Sequence, residues 1–191
     1  IALFLGEFLN AAFIFLFLLI NAFLGFFQEY RAENALKIIK KIIPDIKLWI
    51  IGRGEGEFVI ELQKLVKDLD LSENIKFFDY VTEEKKEELL TRAHILIAPS
   101  VKEGWGLTVH EAGARGTPAV VYNVPGLRDI VKDNVNGIIC QENSPESLSD
   151  NIQKILQDDN FYAKLQKGAV SERKKHTWSN TAGKFLEFAL I

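Results

Sequence analysis

From residue 47 onward, short apolar runs rich in β-branched and aromatic residues alternate with longer segments of helical periodicity. Glycine, proline or polar residues stop each run after four or five positions, so the runs have the length of strands rather than helices. Apolar strands separated by helices are typical of a parallel sheet covered on both faces. We therefore predict an α/β fold. The predicted strands cover residues 47–51, 74–78, 95–98, 119–122 and 137–140.

The segments between these strands carry helix signals. Thr82 and Ser144 occupy N-cap positions, and Pro145 suits the first turn of the helix that follows. The acidic and basic run 83–88 is expected to be a solvated helix face. Ligands of parallel α/β sheets bind beyond the carboxyl ends of the strands, so the loops there should line one crevice. The predicted helices cover residues 57–69, 82–93, 107–114, 127–131 and 145–156, with a helical tail from 161.

The composition restricts the classes of partner. The chain of 191 residues has a net charge of −3 and no dense block of lysine and arginine, which argues against nucleic acid. Cys140 is its only cysteine, so an intrachain disulfide and a cysteine-based zinc site are excluded. No group of His, Cys and Asp has metal-ligand spacing, and we expect no metal. The globular part is expected in a reducing cytoplasm, or at the cytoplasmic face of a membrane.

The N-terminal segment differs from the rest, because residues 1–27 contain a single charge, Glu7. Residues 8–27 are long enough, at about 1.5 Å per residue, to cross a hydrocarbon core of ~30 Å as a helix. We predict a long hydrophobic helix that spans a membrane. The alternative is a buried helix of a soluble domain, which Asn21 and Glu7 favour. The predicted domains are therefore 1–34 and 35–191.

The stretch from Glu103 to Glu111 combines two carboxylates with a Gly-x-Gly turn at the start of a predicted helix. Glycines let backbone N–H groups approach a phosphate, and a helix N-terminus adds donors and partial positive charge. Carboxylates accept hydrogen bonds from sugar and ribose hydroxyls. The pattern indicates a site for a sugar nucleotide. The alternative is an exposed loop acid and a solvated helix carboxylate that bind nothing.

Several motifs occur together and in order between residues 51 and 127: Ile51-Gly52-Arg53-Gly54, Ala98-Pro99-Ser100, Glu103-Gly104-Trp105-Gly106-Leu107-Thr108, Glu111-Ala112, Gly116-Thr117-Pro118 and Val124-Pro125-Gly126-Leu127. They resemble the signature of group 1 glycosyltransferases, which are retaining enzymes of the two-lobed GT-B type. The resemblance covers residues 35–188 and implies the C-terminal, donor-binding lobe, with a Rossmann-like sheet and a nucleotide-diphosphate sugar as donor. It implies no cofactor and no bound metal.

The resemblance also implies a role for individual residues. Glu103, the candidate catalytic residue, would contact hydroxyls of the transferred sugar, and Glu111 would hold the ribose hydroxyls. The backbone of the glycine turn would face the sugar and diphosphate, and the loops after the first two strands would approach the base. Arg53 could equally be an ordinary surface residue. The implied donor contacts are Gly52, Arg53, Tyr80, Val81, Gly104, Trp105, Gly106, Leu107, Thr108 and Glu111.

The chain departs from this family at its start. The family's first strand, its Gly-Arg end and the following lysine clamp the diphosphate, yet none of them is identifiable here, nor is the acceptor-binding lobe. Residues 1–36 instead resemble the second transmembrane helix of P-type cation ATPases, chiefly through the run 28–33. This predicts a chimera joined near residues 34–36, with a donor lobe that is inactive alone. The alternatives are a membrane-tethered module that binds sugar nucleotides or proteins without catalysis, and a P-type ATPase fragment.

Overall fold

The computed structural model describes residues 46–54, 56–175 and 178–189. The predicted hydrophobic helix over residues 8–27 and the predicted join near residues 34–36 lie outside them. No helix within the described ranges is both long enough and apolar enough to cross a membrane. The strands are β1 (Leu48–Ile51), β2 (Ile75–Phe78), β3 (Leu96–Ala98), β4 (Ala119–Val121) and β5 (Gly137–Ile139). The helices are α1 (Gly56–Asp68), α2 (Glu83–Arg92), α3 (Leu107–Ala114), α4 (Leu127–Ile130), α5 (Pro145–Leu156), α6 (Asp159–Lys175) and α7 (Trp178–Ala189).

All of these strands pair in parallel, but they form two sheets. Strand β1 pairs with β2, with Leu48 opposite Ile75, and β3, β4 and β5 form a separate three-stranded sheet. The prediction of one sheet is therefore wrong for the part of the chain that is described. An apolar run identifies a strand without identifying its neighbour, and doubly wound sheets separate strands that are consecutive in sequence.

The three-stranded sheet has helices on both faces, as predicted. Alternate residues of β4 point to opposite sides, with Val121 in one apolar cluster and Val120 in the other. Val109 of α3 and Leu127 of α4 fill the first cluster. The second cluster is filled from α5 and α6 by Ile152, Ile155 and Leu165. Because every residue of β4 is buried, this strand is the centre of the described core.

The helix ends follow the local signals in the sequence. The Thr82 side chain accepts a hydrogen bond from the Lys85 amide at 3.3 Å, and that of Ser144 accepts from the Ser147 amide at 3.2 Å. Both residues therefore cap the orphan amides of their helices, α2 and α5. The predicted boundaries of α3 and α5 are confirmed without change. Helix α3 differs from α2 and α5 because its N-cap is a glycine, Gly106.

Candidate functional site

Helix α3 begins at a tight turn that only glycine fits well. Gly106 has a φ of +72°, in the left-handed region where residues with a Cβ atom are strained. It is also buried, and a Cβ atom placed on it would lie 3.0 Å from Leu127 Cδ2. The next residues, Leu107 and Thr108, form an exposed first turn, with Leu107 68% accessible. The turn therefore presents a helix N-terminus to the solvent.

The carboxylate of Glu103 folds back over this turn. Its Oε1 accepts hydrogen bonds from the backbone N–H groups of Gly104, at 3.0 Å, and Gly106, at 3.2 Å. A negative charge is favoured there because the N-terminus of α3 carries partial positive charge. The two amides that were predicted to face a donor diphosphate thus already hold an oxyanion. That oxyanion belongs to the same residue that was predicted to contact the transferred sugar.

Gly126 allows a second loop to pack against the same turn. A Cβ atom on Gly126 would lie 2.6 Å from the carbonyl oxygen of Glu103 and 2.8 Å from that of Gly104. Its own amide is held by Asp129 Oδ2 at 3.3 Å, at the start of α4. The loops that follow β3 and β4 therefore meet at the carboxyl edge of the sheet, as predicted for parallel strands.

Glu111, in the second turn of α3, is paired with a lysine from α2. The Lys86 Nζ lies 3.0 Å from Glu111 Oε1 and 2.8 Å from Glu83 Oε2. The side chains of Lys86 and Glu111 are 26% and 40% exposed, so both remain accessible to a ligand. The hydrogen bond to Glu83 is the largest cause that raises the pKa of Lys86 above its ordinary value, and the hydrogen bond to Glu111 is the second. The ammonium is therefore charged throughout the neutral range.

Two further contacts lock α3 and the turn after it against α2. Arg115, at the end of α3, forms an ion pair with Glu87. Thr117 of the Gly-Thr-Pro motif is buried, and its hydroxyl donates to the carbonyl oxygen of Leu90 at 2.7 Å. This explains the motif structurally, since the hydroxyl satisfies a carbonyl at the C-terminal end of α2.

The acidic and basic run 83–88 is therefore not simply a solvated helix face, as it was expected to be. Lys86 and Glu87 both bond to α3, although the two partners are distant in sequence. One signal could have identified Lys86. It precedes the buried Leu89 and Leu90 by three and four positions, and that spacing places it on the packed side of the helix.

The loops that follow β1 and β2 also meet. Arg53 Nε lies 3.7 Å from Asp79 Oδ1, and its guanidinium lies 5.2 Å from the centre of the Tyr80 ring. Tyr80 is 70% exposed, while Val81 is half-buried just before the Thr82 cap. The Gly52 amide donates to the Phe78 carbonyl at 3.1 Å and extends the pairing of the two strands. The described contacts thus join the loops after β1 and β2 to each other, and the loops after β3 and β4 to each other. The Lys86–Glu111 hydrogen bond connects α2, which follows the first pair of loops, to α3, which begins in the second pair.

The described residues include no group of three or more His, Cys, Asp or Glu side chains that could hold a metal ion. Trp105, between the two glycines of the turn, is half exposed. The candidate site is thus a turn of backbone donors with the Glu103 carboxylate folded onto it and the Glu111 carboxylate in the second turn of the helix that follows.

Comparison with known proteins identifies the family. The family model described as "Glycosyl transferases group 1" matches residues 24–172. The chain belongs to the group 1 glycosyltransferase family. The match includes the turn, both carboxylates and the Gly-Thr-Pro motif. It begins before the join that was predicted near residues 34–36, and the comparisons give no support to a chimera or to a P-type ATPase segment.

Curated relatives of the chain are considerably longer than it is. It is 30% identical over 168 residues to a D-inositol 3-phosphate glycosyltransferase of Mycobacteroides abscessus, an alignment that covers 86% of this chain and 38% of that protein. The chain thus spans about two fifths of the length of this relative.

Solved structures of other proteins share the fold of the chain. Anabaena HepE in complex with UDP and glucose superposes with a TM-score of 0.70 at 20% identity, over 84% of this chain and 44% of that one. The C-terminal domain of a group 1 family glycosyl transferase from Francisella tularensis gives a TM-score of 0.66 at 23% identity, over 78% of this chain and 77% of that one. At these identities the likeness establishes the α/β fold, with its parallel sheets and flanking helices.

Proposed function

We propose that this chain is the donor-binding lobe of a retaining glycosyltransferase and that it binds a nucleotide-diphosphate sugar. One observation carries the proposal: the Gly104 and Gly106 amides converge on a single oxyanion at the N-terminus of α3. Glu103 lies at that N-terminus, and Glu111 lies in the second turn of the helix. A sugar nucleotide needs an anion position and acceptors for its sugar and ribose hydroxyls, and these residues supply both.

In the proposed complex the donor diphosphate replaces the Glu103 carboxylate at these two amides. A phosphate oxygen carries the same charge and accepts the same hydrogen bonds, so the exchange leaves no N–H group unpaired. The released Glu103 then accepts hydrogen bonds from hydroxyls of the transferred sugar and is the proposed catalytic residue. The exposed residues Trp105, Leu107 and Thr108 lie beside the sugar and the diphosphate in this complex.

The nucleoside is proposed to extend from the diphosphate in the other direction. Glu111 accepts hydrogen bonds from the ribose hydroxyls. The base lies toward Gly52, Arg53, Tyr80 and Val81, where the exposed Tyr80 ring and the Arg53 guanidinium offer flat surfaces for stacking. HepE was solved in complex with UDP and glucose, and that precedent makes UDP the first ligand to test here.

In the transfer step, the bond between the sugar's anomeric carbon and the diphosphate breaks, and its electron pair stays with the diphosphate. An acceptor hydroxyl forms the new bond on the same face of the sugar and gives its proton to the oxygen of the departing diphosphate. Helix amides aimed at the diphosphate stabilise the charge that develops on it. The acceptor itself is proposed to come from a second lobe, which is the partner we expect for this chain.

We further propose that the chain alone does not catalyse transfer, because the Gly-Arg strand end and its lysine are not identifiable. The strand pairing gives the position that such a strand would take. A doubly wound sheet of order 3-2-1-4-5-6 places its first strand between strands two and four. If β1 to β5 are strands two to six, that position lies between β1 and β3, and a strand there would precede β1 in sequence, outside the described residues.

Thermal unfolding with UDP, GDP or ADP tests donor binding. A nucleotide at 100 times its Kd stabilises the folded state by about 2.7 kcal/mol, or roughly 5–10 °C for a chain of this size. We expect Glu111→Ala to remove this shift. Asp150→Ala, on the exposed side of α5, should retain it. If none of the three nucleotides shifts the transition, the chain is not a donor lobe.

Catalysis is tested separately, by incubating the chain with UDP-glucose and measuring free UDP. We expect no UDP above the rate measured without protein. Turnover that Glu103→Ala abolishes would show that the chain is an enzyme by itself. Residues 8–27 and their proposed membrane contact lie outside the described residues, and flotation of the chain with lipid vesicles tests that prediction.

A further inference from the structure

The Lys86 ammonium is the only described cation that bonds to Glu111, and it reaches the carboxylate from a neighbouring helix. It donates to Glu111 Oε1 at 3.0 Å while it also bonds to Glu83, on its own helix, at 2.8 Å. Glu83 lies one turn before Lys86, at a spacing that places both on the same side of α2. The ammonium is therefore held from two directions.

This hydrogen bond uses only part of the acceptor capacity of Glu111. An ionised carboxylate offers about four lone-pair sites, and Lys86 occupies one of them on Oε1. Oε2 remains able to accept hydrogen bonds from two hydroxyls or from one hydroxyl and water. One lysine beside two carboxylates also leaves a net negative charge, so the site still favours donors such as hydroxyl groups.

A glutamate on a half-exposed helix face samples several side-chain rotamers unless something holds it. The ligand would otherwise lose binding free energy to order that side chain. Because Lys86 fixes Oε1 before any ligand arrives, the direction of Oε2 is restricted as well. The charge of Lys86 does not vary near neutrality, since both carboxylates raise the pKa of its ammonium.

We propose that Lys86 is a positioning residue for the nucleotide ribose: it orients the Glu111 carboxylate so that Oε2 accepts a hydrogen bond from a ribose hydroxyl. The inference rests on the proposed function, in which Glu111 binds the ribose. It adds a residue outside the glycine turn, on a helix that was expected to be solvated. In this proposal, the preference for ribose over deoxyribose depends on Lys86 of α2 as well as on the Glu111 carboxylate of α3.

Calorimetric titration of the chain with UDP, 2′-deoxy-UDP and 3′-deoxy-UDP tests this role, with the corresponding GDP and ADP series run in parallel. We expect the unaltered chain to bind UDP more tightly than at least one deoxy form. Lys86→Met should weaken UDP binding roughly 3- to 10-fold. It should weaken binding of that deoxy form much less, so the preference for ribose shrinks. Lys86→Arg, which restores a donor, should recover most of the preference.

Arg115→Met is the matched control. It breaks the other ion pair between α2 and α3, that of Arg115 with Glu87, and the Arg115 side chain is 30% exposed, close to the 26% of Lys86. We expect it to leave the ribose preference unchanged. If Arg115→Met reduces the preference as strongly as Lys86→Met, general loosening of α3 explains the effect and the positioning role is wrong.

The remaining outcomes separate this inference from the function on which it rests. If the unaltered chain binds a nucleotide and its deoxy forms equally, Glu111 does not bind the ribose, and the role of Lys86 fails while donor binding stands. If it binds no nucleotide, the proposed function fails as well. If the unaltered chain prefers ribose but Lys86→Met keeps the full preference, the donor lobe stands and only the role of Lys86 is wrong. Tighter binding by Lys86→Met would also overturn it, because Lys86 would then compete with the ligand.

Discussion

The carbonyl oxygen of Glu103 packs against Gly126, and a Cβ atom on Gly126 would lie only 2.6 Å from that oxygen. The two residues belong to loops that follow neighbouring strands, β3 and β4. Gly126 therefore determines how near the second loop can come to the turn that carries the candidate catalytic carboxylate. Its φ of +82° also lies in a region where other residues are strained.

Gly126→Ala should therefore disturb the site as well as the fold. A residue with a Cβ atom at this sparsely populated backbone conformation costs about 1–3 kcal/mol, and the Cβ atom would also displace the loop of Glu103 and Gly104. We expect a lower unfolding temperature and at least tenfold weaker UDP binding, measured by calorimetry at a temperature where the variant is folded. Gly56→Ala is the control, because a Cβ atom on Gly56 has nothing within 4 Å. Equal binding by the two variants would contradict this explanation.

Thr117→Val tests the contact that anchors α2 to the end of α3. The substitution preserves the shape of the side chain and removes the hydroxyl that donates to the Leu90 carbonyl. We expect a loss of about 1–3 kcal/mol in the free energy of unfolding, because a buried carbonyl loses its partner. Thr91→Val removes a similar bond, to the Glu87 carbonyl, on an exposed surface and should cost less than about 0.5 kcal/mol. Urea denaturation measures both losses in the free energy of unfolding. If Thr117→Val and Thr91→Val lose the same amount, Thr117 does not anchor α2.

Cys140 should be unreactive in the folded protein. It is fully buried, and burial raises the pKa of its thiol above the ordinary value. We expect 5,5′-dithiobis(2-nitrobenzoate) to label the native chain slowly and to titrate one thiol at once in guanidinium chloride. Rapid labelling of the native chain would contradict the buried position.

The raised pKa of the Cys140 thiol also predicts how the stability of the fold changes with pH. The folded chain binds the thiol proton more tightly than the unfolded chain does. The contribution of Cys140 to stability is therefore complete below the ordinary thiol pKa of about 8.5 and falls as the pH rises through and above that value. Urea denaturation of the unaltered chain and of Cys140→Ala at several alkaline pH values measures this difference.

Local signals were sufficient to predict the elements of the described part. Thr82 and Ser144 are N-caps in the structure, and α3 has the predicted boundaries, because caps, glycines and periodicity act within one or two helical turns. The parallel direction of the strands and the meeting of the Glu103 and Gly126 loops followed from general rules for α/β sheets.

Non-local relations were not predictable in the same way. The division into two sheets depends on which strands become neighbours, and an apolar run does not encode its partner. The Lys86–Glu111 pair joins residues that are 25 positions apart, and nothing in either helix alone identifies the other. The resemblance of residues 1–36 to a pump helix rested chiefly on the run 28–33, and six residues are too few to identify a family. The family match from residue 24 onward gives it no support.

The central claim is that the turn of Gly104 and Gly106 holds the donor diphosphate, and the amide resonances of these glycines test it most directly. In a 15N-labelled chain titrated with UDP, with GDP and ADP as alternatives, we expect both resonances to shift as the nucleotide replaces the Glu103 carboxylate. The resonance of Gly56, on helix α1, should not move. Saturable shifts confined to other parts of the chain, or no shift with any of the three nucleotides, would contradict the claim.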